Sequence, residues 1–476
     1  MDEQSTIPRG GRAPRHGGRT VARRGGVLVA ALVAMASVLL GVAPAAVAHP
    51  TTWGASSGGS LIGTWAATPL TPPGLDNTLG VPMTFTNQTL REIVYPHFSG
   101  PGTRITLSNR YGTTPVTFTD VRLGKQAPGA TTISPGLPTV PTNVPGQLVG
   151  PQTLAGAVQG AAIVPGSNVP VTFGGSPSVT IPAGGTVSSD VSKYATTAFQ
   201  PIAVSAFLSG TSATVTQHTI GNQVNYAAPG KMSDNATSAG FAPTGISYSF
   251  LSNVDVTNST NASTVVALGD SLTDGLMSTV NANHRYPDYL AQGLASHNVS
   301  VINQGVAGQR LLYDNIGPSS LNSFGLNVAG APRVRAIILQ VGINDLANPP
   351  FIGVPGRHPE PITADQVIAG MKKFIDTARS RGIVVIGTTI TPSGDVTRPA
   401  RGLFETYSLP DVVAKRAAVN NWIRTSKYAP YIDFDKALLD PASPNSLRPD
   451  LASADNLHPN DKGYKVMADT ALAFRP

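Results

Sequence analysis

From about Asn261 to the C-terminus, short apolar runs alternate with amphipathic stretches, and few folds accommodate that alternation. Thr264–Leu268, Val299–Asn303, Ala336–Val341 and Ile383–Gly387 read as buried strands, with a strand-like Tyr431–Phe434 near the end. Between and after them, Pro287–Ser296, Thr363–Arg381, Leu409–Ser426 and about Lys462 to Ala473 read as helices. Thr363 is placed to cap the second of these, and Gly382 to end it. Strands alternating with helices imply a parallel sheet covered on both faces. In such sheets active sites lie at the carboxyl ends of the strands.

The preceding segment, about Leu61 to Phe250, follows another rule. Arg104–Ser108 and Val116–Asp120 alternate apolar and polar residues, and Ile202–Leu208 reads as a more buried strand. Turn signals recur at Gly100-Pro101-Gly102, Gly174-Gly175 and Gly184, and no helical period of useful length appears. The abundance of Gly (50) and Pro (41) fits this turn-rich character. An all-β sandwich or jelly-roll-like domain is the expected class, with residues 125–168 as a long Pro/Gly/Thr-rich loop or insertion. A chain of 476 residues is long for one core, so two domains are expected: a β-rich domain over 61–255 and an α/β domain over 261–476.

Residues 1–48 read as a signal peptide. Arg9, Arg12, Arg15, Arg19, Arg23 and Arg24 precede an apolar run, Val27–Val42, and Ala46-Val47-Ala48 gives a small-x-small cleavage site before His49. The apolar run is short for a stable membrane span. A secreted, extracellular protein follows, exported by a general or a twin-arginine route, with 49–60 as a flexible leader. The net charge of +7 falls to +3 without this segment, because six Arg against Asp2 and Glu3 account for +4. No basic cluster with interleaved aromatics remains, so nucleic acid is not an expected partner. The absence of Cys excludes disulfides, thiolate nucleophiles and Cys-based zinc sites.

Four short motifs fall at strand ends or in a late loop: Gly269-Asp270-Ser271-Leu272, Asn303-Gln304-Gly305-Val306-Ala307-Gly308, Gly342-Ile343-Asn344-Asp345, and Asp455-Asn456-Leu457-His458. Ser271 sits where a strand turns into a helix, whose N-terminal N–H groups favour developing negative charge. A serine needs a base; His458 supplies one and Asp455 orients it, while Pro459 biases His458 toward an extended backbone. The oxyanion donors expected for acyl transfer are the N–H groups of Ser271 and Gly308 and the side-chain amide of Asn344. Asp270, Asp274 and Asp345 are expected to support these loops by hydrogen bonding. Each motif alone is weak; in this order and these positions they supply every group that a nucleophilic serine requires. Gly54-Ala55-Ser56-Ser57-Gly58 also fits a nucleophile pattern, but it lacks a strand before it and a helix after it. His97 and His218 fall near turns or strand ends of the β region, and His284, His297 and His358 lack a patterned acidic partner. No His/acid spacing implies a metal.

These blocks resemble those of the SGNH hydrolases, also called the GDSL esterase/lipase family, across residues 264–476. The Ser, Gly, Asn and His of the family name correspond to Ser271, Gly308, Asn344 and His458, with Asp455 as the acid. The resemblance implies a three-layer flavodoxin-like α/β fold and cofactor-free hydrolysis of carboxylic esters. Gly63-Thr64-Trp65-Ala66-Ala67, Gln88-Thr89-Leu90-Arg91, Leu107-Ser108-Asn109 and Ile181-Pro182-Ala183-Gly184 are similar to a secreted actinobacterial subgroup with an N-terminal β domain. So are Arg285-Tyr286-Pro287-Asp288 and Asn420-Asn421-Trp422-Ile423-Arg424. Gln340, where that subgroup usually has an acid, and Ser323–Ala329 depart from the pattern and bear on substrate preference. The expected activity is hydrolysis of short-chain or acetyl esters through an acyl-enzyme on Ser271, on small-molecule or polymeric substrates including polysaccharide held by the β domain. Two rivals stand beside this carbohydrate-esterase reading: a lipase or phospholipase acting on longer chains, and a non-catalytic polysaccharide-binding or adhesion protein.

Overall fold

The computed structural model describes residues 60–70, 84–128, 130–131, 158–314, 317–328, 330–348 and 362–474. The signal segment, the leader with Ser56, most of the 125–168 insertion, His358 and Ala329 lie outside the described residues. The β-rich region is built on two main antiparallel sheets. The smaller has the order Ser60–Ala66, Leu251–Asn258, Thr103–Ser108, Thr186–Ser188. The larger runs Ala242–Gly245, Asn225–Pro229, Thr86–Val94, Ile202–Thr211, Val116–Lys125, Val169–Val171. Alternation along Val116–Lys125 places Val116, Phe118, Val121 and Leu123 inside. They meet Trp65, Ile105, Leu107 and Val254 of the smaller sheet in one shared core. The two sheets therefore pack face to face, as the alternating patterns require.

The α/β region is a five-stranded parallel sheet ordered Val299–Gly305, Ser263–Gly269, Val334–Gln340, Val384–Thr388, Tyr431–Ile432. The strand Ser263–Gly269 is buried on both faces, so successive residues feed different cores. Val265 and Ala267 pack with Tyr286, Leu290, Tyr464 and Met467 from Tyr286–Leu294 and Asp461–Ala473. Val266 and Leu268 pack on the opposite side with Phe324, Met371, Phe374 and Val419 from Ser320–Asn327, Ala364–Arg379 and Pro410–Thr425. Period-2 alternation in one strand thus generates three layers. Thr363 closes a capping box with Gln366, and Gly382 takes a left-handed φ of 72° beyond the helix end. The last strand is shorter than its sequence pattern suggests. Asp433 accepts from Lys436 N at 3.1 Å and starts the helix Phe434–Leu438 instead. Among the described residues no helix is long and apolar enough to cross a membrane.

The first β-region strand runs along the edge of the parallel sheet. Ser300 Oγ donates to Gly63 O at 2.6 Å, and Thr68 Oγ1 donates to Gln304 Oε1 at 2.6 Å. Two buried histidines extend this seam: His97 Nε2 lies 3.0 Å from Asp288 Oδ1, and His218 Nε2 lies 3.0 Å from Asp274 Oδ1.

Candidate active site

The strand Ser263–Gly269 ends where a side chain cannot fit: a Cβ added at Gly269 would lie 2.1 Å from Gln340 O. The chain turns at once. Asp270 Oδ1 accepts from Leu272 N at 3.1 Å and caps the single-turn helix Ser271–Asp274. Ser271 is the first residue of that helix, 7% exposed, at the carboxyl edge of the sheet. Register fixes its neighbours. Gly269 pairs with Gly305 on one side and Gln340 on the other, so the turns carrying Gly308 and Asn344 leave the same sheet edge.

Three of the predicted residues form a continuous hydrogen-bonded line. His458 Nε2 lies 2.8 Å from Ser271 Oγ, and His458 Nδ1 lies 2.7 Å from Asp455 Oδ2. Asp455 Oδ1 also accepts from Ser453 Oγ at 2.7 Å, His458 N at 2.9 Å and Leu457 N at 3.0 Å. Burial opposes charge on Asp455, but His458 and these backbone donors outweigh it and hold the carboxyl well below the usual carboxylate range. An ionised Asp455 only accepts, so Nδ1 carries the hydrogen and the Nε2 lone pair faces the serine hydroxyl. That is the protonation state a general base needs. The edge-to-face ring of Phe404, 5.1 Å away, walls the imidazole.

The second and third turns are clamped rather than free. Gly308 has φ 80°, a left-handed conformation that favours glycine, in a turn closed by Gln309 N donating to Val306 O at 2.9 Å. Asp274 Oδ2 accepts from Ala307 N at 2.9 Å. Asp345 accepts from Leu311 N at 2.8 Å and Leu312 N at 3.0 Å, so it braces the Gly308 loop from the Asn344 turn. Asn344 Nδ2 donates to Gln309 O at 3.0 Å, and its Oδ1 accepts from the Tyr407 hydroxyl. Tyr407 thereby fixes which way the amide faces, leaving the second Nδ2 hydrogen for an incoming oxyanion. Burial pushes Asp270 up to about 8, with the Leu272 hydrogen bond opposing and Asp345 adding to the rise. Burial likewise pushes Asp345 up to about 6. In its protonated form Asp270 would cap the helix without placing negative charge beside Ser271.

Sequence reasoning missed several partners. Phe404 and Tyr407 lie in a 3-10 segment, Gly402–Ser408, that has no periodic signal. His284, which shows no patterned acidic partner, is 2.7 Å from Asp461 Oδ2, 177 positions away. His97 and His218 likewise have acidic partners far along the chain. No cluster of His, Cys, Asp or Glu among the described residues is arranged to hold a metal ion.

The GDSL-like Lipase/Acylhydrolase family matches residues 267–466. These residues, which include all four motifs, form a GDSL/SGNH hydrolase domain; the N-terminal β-rich region lies outside the match. No curated protein matches the chain. Solved structures similar to it include an acetyl xylan esterase, AlAXEase, at 18% identity over 44% of this chain and 98% of that one, with a TM-score of 0.33. A GDSL-like lipase from Bacteroides thetaiotaomicron is 17% identical over 44% and 87%, with a TM-score of 0.31. A catalytic mutant of an acetylxylan esterase from Geobacillus stearothermophilus is 16% identical over 44% and 94%, with a TM-score of 0.33.

Proposed function

We propose that the GDSL/SGNH hydrolase domain of residues 267–466 makes this chain an exported serine esterase that cleaves short-chain carboxylic esters through an acyl-enzyme on Ser271. The observation that carries the reading is the relay from Asp455 through His458 to Ser271, with contacts of 2.7 and 2.8 Å. His458 Nε2 removes the hydroxyl proton as Ser271 Oγ attacks the ester carbonyl. The oxyanion is received by the N–H groups of Ser271 and Gly308 and by Asn344 Nδ2. Collapse of the tetrahedral intermediate breaks the bond to the alkoxy group, and the imidazolium returns its proton to the departing alcohol. Water, deprotonated by His458, then attacks the acyl-enzyme; the bond from the acyl carbon to Ser271 Oγ breaks, the imidazolium returns its proton to Oγ, and the acid leaves. Asp455 stabilises each imidazolium stage without taking its proton.

The low aromatic content of the chain, 6%, leaves little for a greasy lid over the site and supports a small acyl group. The Arg-rich signal segment ending in Ala46-Val47-Ala48 supports export. Ser271→Ala should abolish hydrolysis of an aryl acetate and labelling by a fluorophosphonate while leaving the thermal melt unchanged. Full residual turnover in the folded variant would remove Ser271 from the mechanism. In an acyl-length series, rates should fall beyond a few carbons. A rate climbing steeply past about eight carbons, as growing apolar burial per methylene would produce, would favour a lipase instead.

A further inference from the structure

His218 belongs to the β-rich region yet is 6% exposed against the nucleophile helix. Its Nδ1 lies 3.0 Å from Thr68 O and its Nε2 lies 3.0 Å from Asp274 Oδ1. A carbonyl oxygen only accepts, so Nδ1 carries a hydrogen. A neutral ring would then point its Nε2 lone pair at a carboxylate, two acceptors face to face. Both contacts are satisfied when the ring carries two hydrogens. Burial opposes that charge and Arg285 repels it, but Asp274 and the two hydrogen bonds outweigh them and raise the ring above the ordinary histidine range.

Asp274 links this contact to the catalytic loops. It lies three residues after Ser271 in the same one-turn helix, and its other oxygen receives Ala307 N, adjacent to Gly308. Thr68 is itself tied to Gln304, at the end of the strand that leads into the Gly308 turn. A line of hydrogen bonds therefore runs from Thr68 through His218 and Asp274 to the amide next to Gly308.

We propose that His218 is a positioning residue of the esterase: it holds Asp274 so that the Ala307–Gly308 backbone stays aimed at the ester carbonyl oxygen. The β-rich region on this view completes the oxyanion loop, and the inference rests on the reading of Gly308 as an oxyanion donor. His218→Leu removes both donors, whereas His218→Gln keeps an N–H facing Asp274. Asp274→Asn keeps an acceptor for Ala307 N and turns an N–H toward a neutral His218.

The test uses the full chain, with kcat and KM for an aryl acetate across pH and amide hydrogen exchange at Ala307. His218→Leu should lower kcat by about tenfold to a hundredfold, the scale of a small misplacement of a reacting group, with KM within about twofold. His218→Gln should recover most of that loss. Exchange at Ala307 should accelerate in the Leu variant. In the wild type, kcat should fall at alkaline pH as the ring loses its second hydrogen. In Asp274→Asn that fall should vanish, because the introduced side-chain amide donates to the neutral ring. A folded His218→Leu with kcat within twofold of wild type, or with unchanged Ala307 exchange, overturns the proposal. Should that variant fail to fold, an alkaline fall that persists in Asp274→Asn overturns it instead. If the wild type hydrolyses no ester, the esterase reading fails on its own, and Ala307 exchange still decides whether His218 holds the loop.

Discussion

Asn344 illustrates how a side-chain amide is held in one orientation. Its Oδ1 is occupied by the Tyr407 hydroxyl, and one Nδ2 hydrogen is spent on Gln309 O, so rotation of the amide would break both contacts. Tyr407→Phe leaves a buried acceptor without its partner, a loss of about 1–3 kcal/mol. Because that acceptor fixes the amide, kcat should drop on the order of tenfold or more with little change in KM, converting such a loss to a rate. Steady-state kinetics on an aryl acetate, with a thermal melt to verify folding, will decide; an unaltered kcat would free Asn344 from this clamp. Ser271, Asp455 and His458 were legible in the sequence because each sits in a short motif whose neighbours set its conformation. Tyr407 was not, because its partner lies 63 positions away and only tertiary packing joins them. His218 was hidden for the same reason: its acid, Asp274, stood in plain view inside the nucleophile motif, with no local sign of what would face it.

Elements show the same division between local and distant causes. The helix Ala364–Arg379 begins where the sequence places it, because Thr363 and Gln366 satisfy its first N–H groups and the chain's own apolar spacing buries Val367, Met371, Phe374 and Ile375. Thr363→Ala should therefore cost about 1 kcal/mol of unfolding free energy, the usual value of such a cap. Urea denaturation will measure it, and esterase kinetics should not move, since the bonds that Thr363 makes reach only Gln366 and Val367 in its own helix. Tyr431–Phe434 misleads for the opposite reason. Its alternation suits a strand, but Asp433 is drawn to Arg424, 2.7 Å away on the preceding helix, and to the amide of Lys436, so the strand stops at Ile432. The pull comes from another element and leaves no periodic trace.

At the scale of the molecule, the β-rich sheets and the parallel sheet meet along a seam of buried polar groups. Arg285 and His97 converge on Asp288: Arg285 Nε is 2.7 Å and His97 Nε2 3.0 Å from its carboxylate. Burial opposes charge on Asp288, yet Arg285 and His97 hold it far below the usual carboxylate range. Asp455 is lowered in the same sense. For such groups the unfolded chain binds more protons in acid, so they destabilise the fold as pH drops below about 4, the ordinary aspartate range. Asp270 and Asp345 act in the other direction. Their folded-state values of about 8 and about 6 lie above the unfolded one, so the native state holds the extra protons. The stability they contribute is complete in acid and is lost as pH rises from about 4 toward those values. Stability should accordingly peak at about pH 4 and decline from there toward about pH 8 as these carboxyls are forced to ionise. Asp270→Asn isolates the share of that decline that Asp270 contributes. The asparagine oxygen still accepts from Leu272 N, so the cap on the nucleophile helix survives, while the titration disappears. Urea midpoints measured from pH 4 to 8 should fall for the wild type and fall less steeply for Asp270→Asn, by on the order of a few kcal/mol at pH 8. Parallel curves for the two proteins would mean that Asp270 is ionised throughout, and the helix that carries Ser271 would then begin on a negative charge.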